Sequence, residues 1–291
     1  MCAATLKRRV RISLLLTSKA KFFTGENVMS LDIVDTGQTK PEDSLTVLGV
    51  RVDRLTQRET LEGIDRLVAL RRESEEPIEC QQVITVNTEF IIEAQHNQPF
   101  RQCINEAAMV VPDGMGVVWA TRYLGKPAPE RVTGTDTLPE VARLCARRGY
   151  RLYLLGAAPG VAESAAERLG VLAPGLQIAG TYAGSPAPEE EEAICECVRI
   201  AQADVLCVAY GAPAQELWIA RNRSRLSVAV AMGVGGAYDF LSGRKPRAPK
   251  LMQNMGLEWL YRLYREPWRI WRMLAIPRFM ILVLLKGRKT A

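Results

Sequence analysis

From Leu45 onward, short apolar runs alternate with longer stretches in which apolar residues recur every three or four positions. The runs predict strands over Thr46–Val50, Gln82–Val86, Met109–Val111, Arg151–Leu155, Leu176–Gly180, Val205–Ala209 and Val228–Met232. The periodic stretches predict helices around Thr56–Arg72, Phe90–His96, Pro99–Glu106, Thr137–Arg148, Gly160–Leu172, Pro188–Ala203 and Pro213–Arg225. Strand–helix alternation of this kind implies an α/β fold, a Rossmann-like, mostly parallel sheet with helices on both faces. Ligands in such sheets bind beyond the carboxyl ends of the strands.

Both ends of the chain break the pattern. Residues 1–43 begin with a basic cluster, Lys7-Arg8-Arg9-Val10-Arg11, and a short apolar Ile12 to Leu16, then turn polar and acidic, which reads as a flexible basic arm. Residues 44–249 form the α/β domain, and 250–291 a C-terminal helical appendage. In the appendage, Leu257–Tyr264 and Trp268–Ile276 predict two amphipathic helices with Pro267 suited to the first turn of the second. The seven-residue apolar run Phe279–Leu285 is far below the roughly 20 residues a spanning helix needs, so this tail lies on a bilayer rather than crossing it.

Charge sharpens this division. Residues 244–291 carry a net +10 and residues 1–25 a net +6, while 26–243 carry a net −10 within a total of +6. Two basic ends on an acidic body favour a localised anionic partner, and a membrane phosphate surface fits better than nucleic acid, because no nucleic-acid reading motif accompanies the cations. Trp259, Trp268, Trp271 and Phe279 beside those cations suit an interfacial helix; the competing reading is that these rings fill the protein core. Seven scattered cysteines without paired spacing read as reduced, mostly buried thiols in a cytoplasmic protein. The single histidine, His96, sits in a polar turn, so histidine-based triads and metal sites are not the chemical engine.

Candidate chemistry gathers in strand-end loops. Thr85-Val86-Asn87-Thr88-Glu89, Pro112-Asp113-Gly114-Met115-Gly116 and Arg131-Val132-Thr133-Gly134-Thr135-Asp136 each follow or neighbour an apolar run and should converge on one sheet edge. Leu155 to Gly160 leads into a helix whose N-terminus suits a phosphate, with a plain strand-to-helix turn as the alternative. Gly211-Ala212-Pro213-Ala214-Gln215-Glu216 places an amide at a helix start, and Met232-Gly233-Val234-Gly235-Gly236-Ala237-Tyr238-Asp239 supplies glycines that let backbone approach a ligand closely.

These motifs, followed by Gly243-Arg244-Lys245-Pro246-Arg247-Ala248-Pro249, Gly256 to Leu263 and Glu266-Pro267-Trp268-Arg269, resemble in order the signatures of the WecG/TagA/CpsF glycosyltransferases, over about residues 45–275. The resemblance implies an inverting, metal-independent transfer of an N-acetylmannosamine-type sugar from a UDP-sugar to a polyprenyl-diphosphate-linked saccharide, with no cofactor, at the inner face of the bacterial cell membrane in cell-envelope or exopolysaccharide synthesis. It assigns Asp113 the role of general base beside Thr85 and Asn87. Arg131, Thr133, Asp136, Gln215, Gly235 and Gly236 become substrate-binding, and Asp239 falls near the uracil end of the nucleotide. Arg262, Arg269 and Arg272 hold positions that in the family are thought to close over the site; meeting lipid headgroups is the other reading of these arginines.

One departure is visible: Ser185-Pro186 follows Gly184 where relatives commonly place an aromatic residue, which leaves Tyr182 as the available substitute for stacking on the base. A homo-oligomer is compatible with the sequence. Two other classes compete, a nicotinamide-dependent oxidoreductase and a non-catalytic membrane- or nucleic-acid-binding module; the first lacks the dinucleotide fingerprint with its acidic partner.

Overall fold

The computed structural model describes residues 43–249, 251–252, 255 and 258–287; Asp43 apart, the basic arm expected over 1–43 lies outside them. Six strands form one parallel sheet in the order β4-β3-β8-β7-β5-β6, with β3 at Gln81–Val86, β4 at Met109–Pro112, β5 at Arg151–Gly156, β6 at Gln177–Tyr182, β7 at Val205–Ala209 and β8 at Val230–Gly233. Successive side chains of a strand face opposite ways. Val205, Cys207 and Ala209 of β7 therefore enter one apolar cluster, Leu206 and Val208 the other side, and both sets are buried, which is why the strands read as continuous apolar runs.

One face is covered by α1 (Gln57–Glu73), α5 (Gly134–Arg148), α6 (Val161–Leu172) and α9 (Ala237–Leu241). The opposite face carries α2 (Thr88–Glu93), α3 (Gln98–Glu106), α4 (Met115–Tyr123), α7 (Pro188–Ile200) and α8 (Ala214–Asn222). Helix α1 starts on a capping box in which Thr56 and Glu59 satisfy each other's backbone amides, the signal behind its clear boundary. Helix α4 was not expected: its start, Gly114-Met115-Gly116, has no capping side chain and reads as a loop.

The strand expected at Thr46–Val50 is instead a hairpin. Leu48 and Gly49 take positive φ, 51° and 80°, and fold β1 (Ser44–Val47) back on β2 (Val50–Asp53) as an antiparallel pair. An apolar run gives no sign of a reversal when one turn residue is itself a leucine that is 4% exposed. The hairpin packs with α2, α3 and α4, and buried Asp53 accepts a hydrogen bond from the Val110 amide (2.7 Å) beside its ion pair with Arg51 (3.0 Å).

The appendage contains α10 (Glu258–Arg265), a 3-10 turn (Pro267–Arg269), α11 (Ile270–Met273), α12 (Ala275–Leu282) and a closing turn over Val283–Gly287. Pro267 opens the 3-10 turn, and Glu266 before it is non-helical (φ −133°, ψ 75°), so helical phase does not carry from α10 into α11. Phe279 and Val283 are fully buried in the cluster formed by the hairpin and α2–α4. Trp268 and Trp271 are 70% and 78% exposed. The aromatics thus divide: Phe279 fills the core, Trp271 faces outward, and the partly exposed Trp259 and Trp268 line the cleft described below. No helix among the described residues is long and apolar enough to cross a membrane.

Candidate active site

A cleft of about 820 Å³ opens at the carboxyl end of the sheet, walled by the loops after β3, β4, β5, β7 and β8 on the body side and by α10 to α12 on the other. Backbone bonds set this edge. The Asp113 amide donates to the Val86 carbonyl (2.7 Å) and the Val132 amide to the Pro112 carbonyl (2.8 Å), which draws the loops bearing Asn87, Asp113 and Arg131 together. Thr85, Asn87, Asp113, Arg131, Thr133, Gln215, Gly235, Gly236, Asp239 and Arg272 all line this one cleft. Several of them also hold the scaffold: Asn87 Oδ1 caps α2 by accepting from the Phe90 amide (3.0 Å), and Thr133 Oγ1 caps α5 by accepting from the Asp136 amide (3.1 Å).

Asp136 sits beside the cleft rather than in its lining. It accepts from Thr133 Oγ1 (2.8 Å) and pairs with Arg247 (2.7 Å). Burial pushes its carboxyl up, but the Arg247 guanidinium and the Thr133 hydroxyl outweigh that and hold it below the usual carboxylate range. The side chains of Arg262 and Arg269 lie outside the described residues.

Gln215 is 3% exposed and ties two glycine loops together. Its Oε1 accepts from the amides of Gly211 (3.0 Å) and Gly235 (3.2 Å), and its Nε2 donates to Glu216 Oε1 (2.7 Å). Gly233 is required beneath it, since a Cβ there would fall 2.3 Å from Gln215 Nε2 and 2.4 Å from Glu216 Oε1.

The basic segment after α9 joins body to appendage. Lys245 pairs with Asp239 (3.6 Å) and with Glu266 (2.8 Å); Arg247 bridges Asp136 and Glu258 (3.8 Å). Arg272 reaches Glu89 in the first turn of α2 (2.6 Å). Each of these cations meets a carboxylate, whereas Arg131, Arg244 and Arg265 line the cleft with no ion pair among the described residues. Arg131 also lies near enough to Asp136 to help lower its carboxyl, and Arg244 and Arg265 are exposed; guanidiniums that line one cleft without a bonded carboxylate favour an anion such as a diphosphate.

Sequence reasoning did not single out Glu89, Tyr210, Lys245, Arg247 or Glu216 for the site. The ion-pair partners carry no local pattern, and only their place in the motif strings hinted at them. Tyr182 lies at the end of edge strand β6, 43% exposed and outside the cleft lining, while Tyr210 lines the cleft and meets Trp218 edge-on (5.9 Å between ring centroids). His96 is exposed and pairs with Glu93 on the surface. Cys195 is buried and Cys197 exposed, so the helix splays them apart, and the six described cysteines are free.

A cleft at the carboxyl edge of a parallel sheet, lined by one of the candidate carboxylates and by guanidiniums, is where an α/β fold of this kind holds its ligand. The chain belongs to the WecG/TagA/CpsF family of glycosyl transferases, whose pattern it matches over residues 45–291. A Bacillus spizizenii protein named N-acetylglucosaminyldiphosphoundecaprenol N-acetyl-beta-D-mannosaminyltransferase is 34% identical to it over 209 residues, 72% of this chain and 80% of that protein. Proteins of the same name from Staphylococcus aureus strain MW2 and Bacillus subtilis strain 168 are 30% and 32% identical, covering 84% and 72% of this chain and 93% and 81% of their own. The chain is therefore a glycosyltransferase, and the oxidoreductase and non-catalytic readings fall away.

Proposed function

We propose that this chain transfers an N-acetylmannosamine-type sugar from UDP to an amino-sugar carried on a polyprenyl diphosphate, with inversion and without a metal or cofactor. The observation that carries the reading is Asp113, fixed at the end of β4 and sharing one cleft with Arg131, Arg244 and Arg265, in a chain similar to N-acetylmannosaminyltransferases. The acceptor hydroxyl attacks the anomeric carbon as Asp113 takes its proton; the bond from that carbon to the β-phosphate oxygen breaks, and UDP leaves with the electron pair. The guanidiniums stabilise the charge that develops on the diphosphate. Thr85 and Asn87 orient the acceptor, Thr133, Asp136, Gln215, Gly235 and Gly236 shape the donor pocket, and Asp239 lies toward the uracil. Arg272 belongs to the wall that the appendage contributes, and the family resemblance assigns Arg262 and Arg269 to the same role.

On this reading the enzyme meets its lipid-linked acceptor at the cytoplasmic face of the membrane, as a peripheral protein. The exposed Tyr264, Trp268, Trp271 and Leu285 support that reading, because aromatic rings settle at headgroup depth with cations on the phosphates.

The test is UDP release in EDTA, with UDP-N-acetylmannosamine, its uronic acid and UDP-N-acetylglucosamine offered separately alongside a synthetic polyprenyl-diphosphate amino-sugar. Release that requires acceptor, occurs with one donor and falls at least ~100-fold in Asp113→Asn is expected. Acceptor-independent or absent release with every donor would sink the substrate reading; full activity in Asp113→Asn would remove the aspartate as base.

A further inference from the structure

Glu216 stands directly behind Gln215, on the side away from the cleft. It is 2% exposed, and its side chain has one hydrogen-bond partner, Gln215 Nε2; its Oε2 is buried with none. Helix α8 packs there against α3, β3 and β8. Helix α3 presents Cys103, whose Sγ donates to the Glu216 backbone carbonyl (3.3 Å) and whose thiol burial pushes to about 12. Strand β3 presents Gln82, whose Nε2 donates to the same carbonyl (3.1 Å), and β8 presents Gly233; neither ionises. Among the described residues no cation reaches this carboxyl. A buried carboxyl with one amide for a partner is an expensive way to fill space; leucine would fill it but leave Gln215 Nε2 without its acceptor.

We propose that Glu216 is a positioning residue that fixes the amide of Gln215, and through it the Gly211 and Gly235 loops, in the geometry that receives the donor nucleotide. Gln215 Oε1 is the shared acceptor that sets the spacing of the two loops, so whatever fixes the tilt of its amide plane fixes that spacing. With its proton on, Glu216 is neutral: Oε1 accepts the Nε2 bond, and what is left over is one buried hydroxyl at Oε2, a smaller cost than a buried charge. Once ionised, it is a buried charge with two acceptor oxygens and one donor in contact, and it draws the Gln215 amide toward itself at the expense of the glycine amides. Burial raises the carboxyl, with the Gln215 bond and its own backbone amide pulling it partly back, to about 7. The raised value means the holding form prevails below neutrality and is lost as pH rises through it.

The inference rests on the nucleotide-sugar reading of the cleft, so its test has one readout that needs no ligand. The full-length protein, the Glu216→Gln variant and the Glu216→Leu variant would be labelled with 15N-glycine. The Gly211 and Gly235 amide resonances would be followed from about pH 6 to about pH 8.5, beside calorimetric binding of UDP-N-acetylmannosamine at both ends of that range.

Expected in the wild type is a common titration of both glycine amides and a Kd that weakens about 10-fold toward high pH. Expected in Glu216→Gln is a flat response in both, with a Kd at low pH within about 3-fold of wild type, and in Glu216→Leu weak binding at every pH. Glycine amides that do not titrate, or that titrate alike in wild type and Glu216→Gln, overturn the proposal. Glycine amides that titrate as expected while the wild type binds no nucleotide sugar support the Gln215 linkage and overturn the donor reading instead.

Discussion

The two walls of the cleft are built on opposite principles. The body wall is held by backbone: the Asp113 and Val132 amides stitch strand ends together, and Gln215 joins two loops from the buried side. The appendage wall is held by side-chain ion pairs, Lys245–Glu266, Arg247–Glu258 and Arg272–Glu89, and by one apolar plug, Phe279 with Val283. Backbone bonds in a buried strand end are rigid and insensitive to salt; partly exposed ion pairs are weak and screened. A rigid wall can aim a base at a carbon, and a wall held by weak charges can yield to a bulky lipid-linked substrate.

Removing the plug should have the largest effect on this contrast. Phe279→Ala leaves a cavity in the cluster shared with the hairpin and is expected to cost about 3–5 kcal/mol in chemical denaturation. A loss below about 1 kcal/mol would mean that α12 is not anchored to the body as its burial indicates.

The hub of the rigid wall gives the next effect. The native chain keeps the Glu216 proton that the unfolded chain loses above the ordinary carboxylate value of 4.5, so stability falls as pH rises from about 4.5 and levels off above about 7. Glu216→Gln has no such loss, and its stability relative to wild type should improve from pH about 4.5 to pH about 8 by up to roughly 3 kcal/mol. An unchanged difference across that range would place the ionisation elsewhere.

A smaller effect separates the appendage's outer surface from its anchor. Trp268→Ser with Trp271→Ser should leave the melting temperature within about 2 °C of wild type, since both rings are mostly exposed, while binding to anionic vesicles weakens about 10-fold or more. Equal vesicle binding would move the membrane contact off these rings. A similarly small effect on stability is expected for Arg272→Gln, about 1 kcal/mol or less, because the Arg272 side chain is 53% exposed. Its kcat should fall more than its stability if the arginine serves the cleft, and a kcat equal to wild type would reduce the pair to a surface tie.

The sequence by itself determined the sheet, because both faces of β3, β5 and β7 are buried and continuous apolar runs between amphipathic stretches have few other solutions. It also determined most of the loops that carry the chemistry: Thr85 ends β3, Asn87, Asp113 and Gln215 follow strand ends, and all parallel strands deliver their ends to one edge; Arg131 instead follows α4, and reaches the cleft because the Val132 amide bonds the Pro112 carbonyl at the end of β4. Tertiary structure alone decided what depends on contacts between distant segments. The turn at Leu48-Gly49 carries an apolar residue where a turn usually shows polar ones; Phe279 and Trp271 look alike in a basic aromatic tail, yet one is buried and the other bare. The partners of Lys245, Arg247 and Arg272 lie in other segments of the chain. Gln215 and Glu216 are adjacent letters at a helix start, and only the approach of β8, with no side chain at Gly233, turns them into the buried brace behind the cleft.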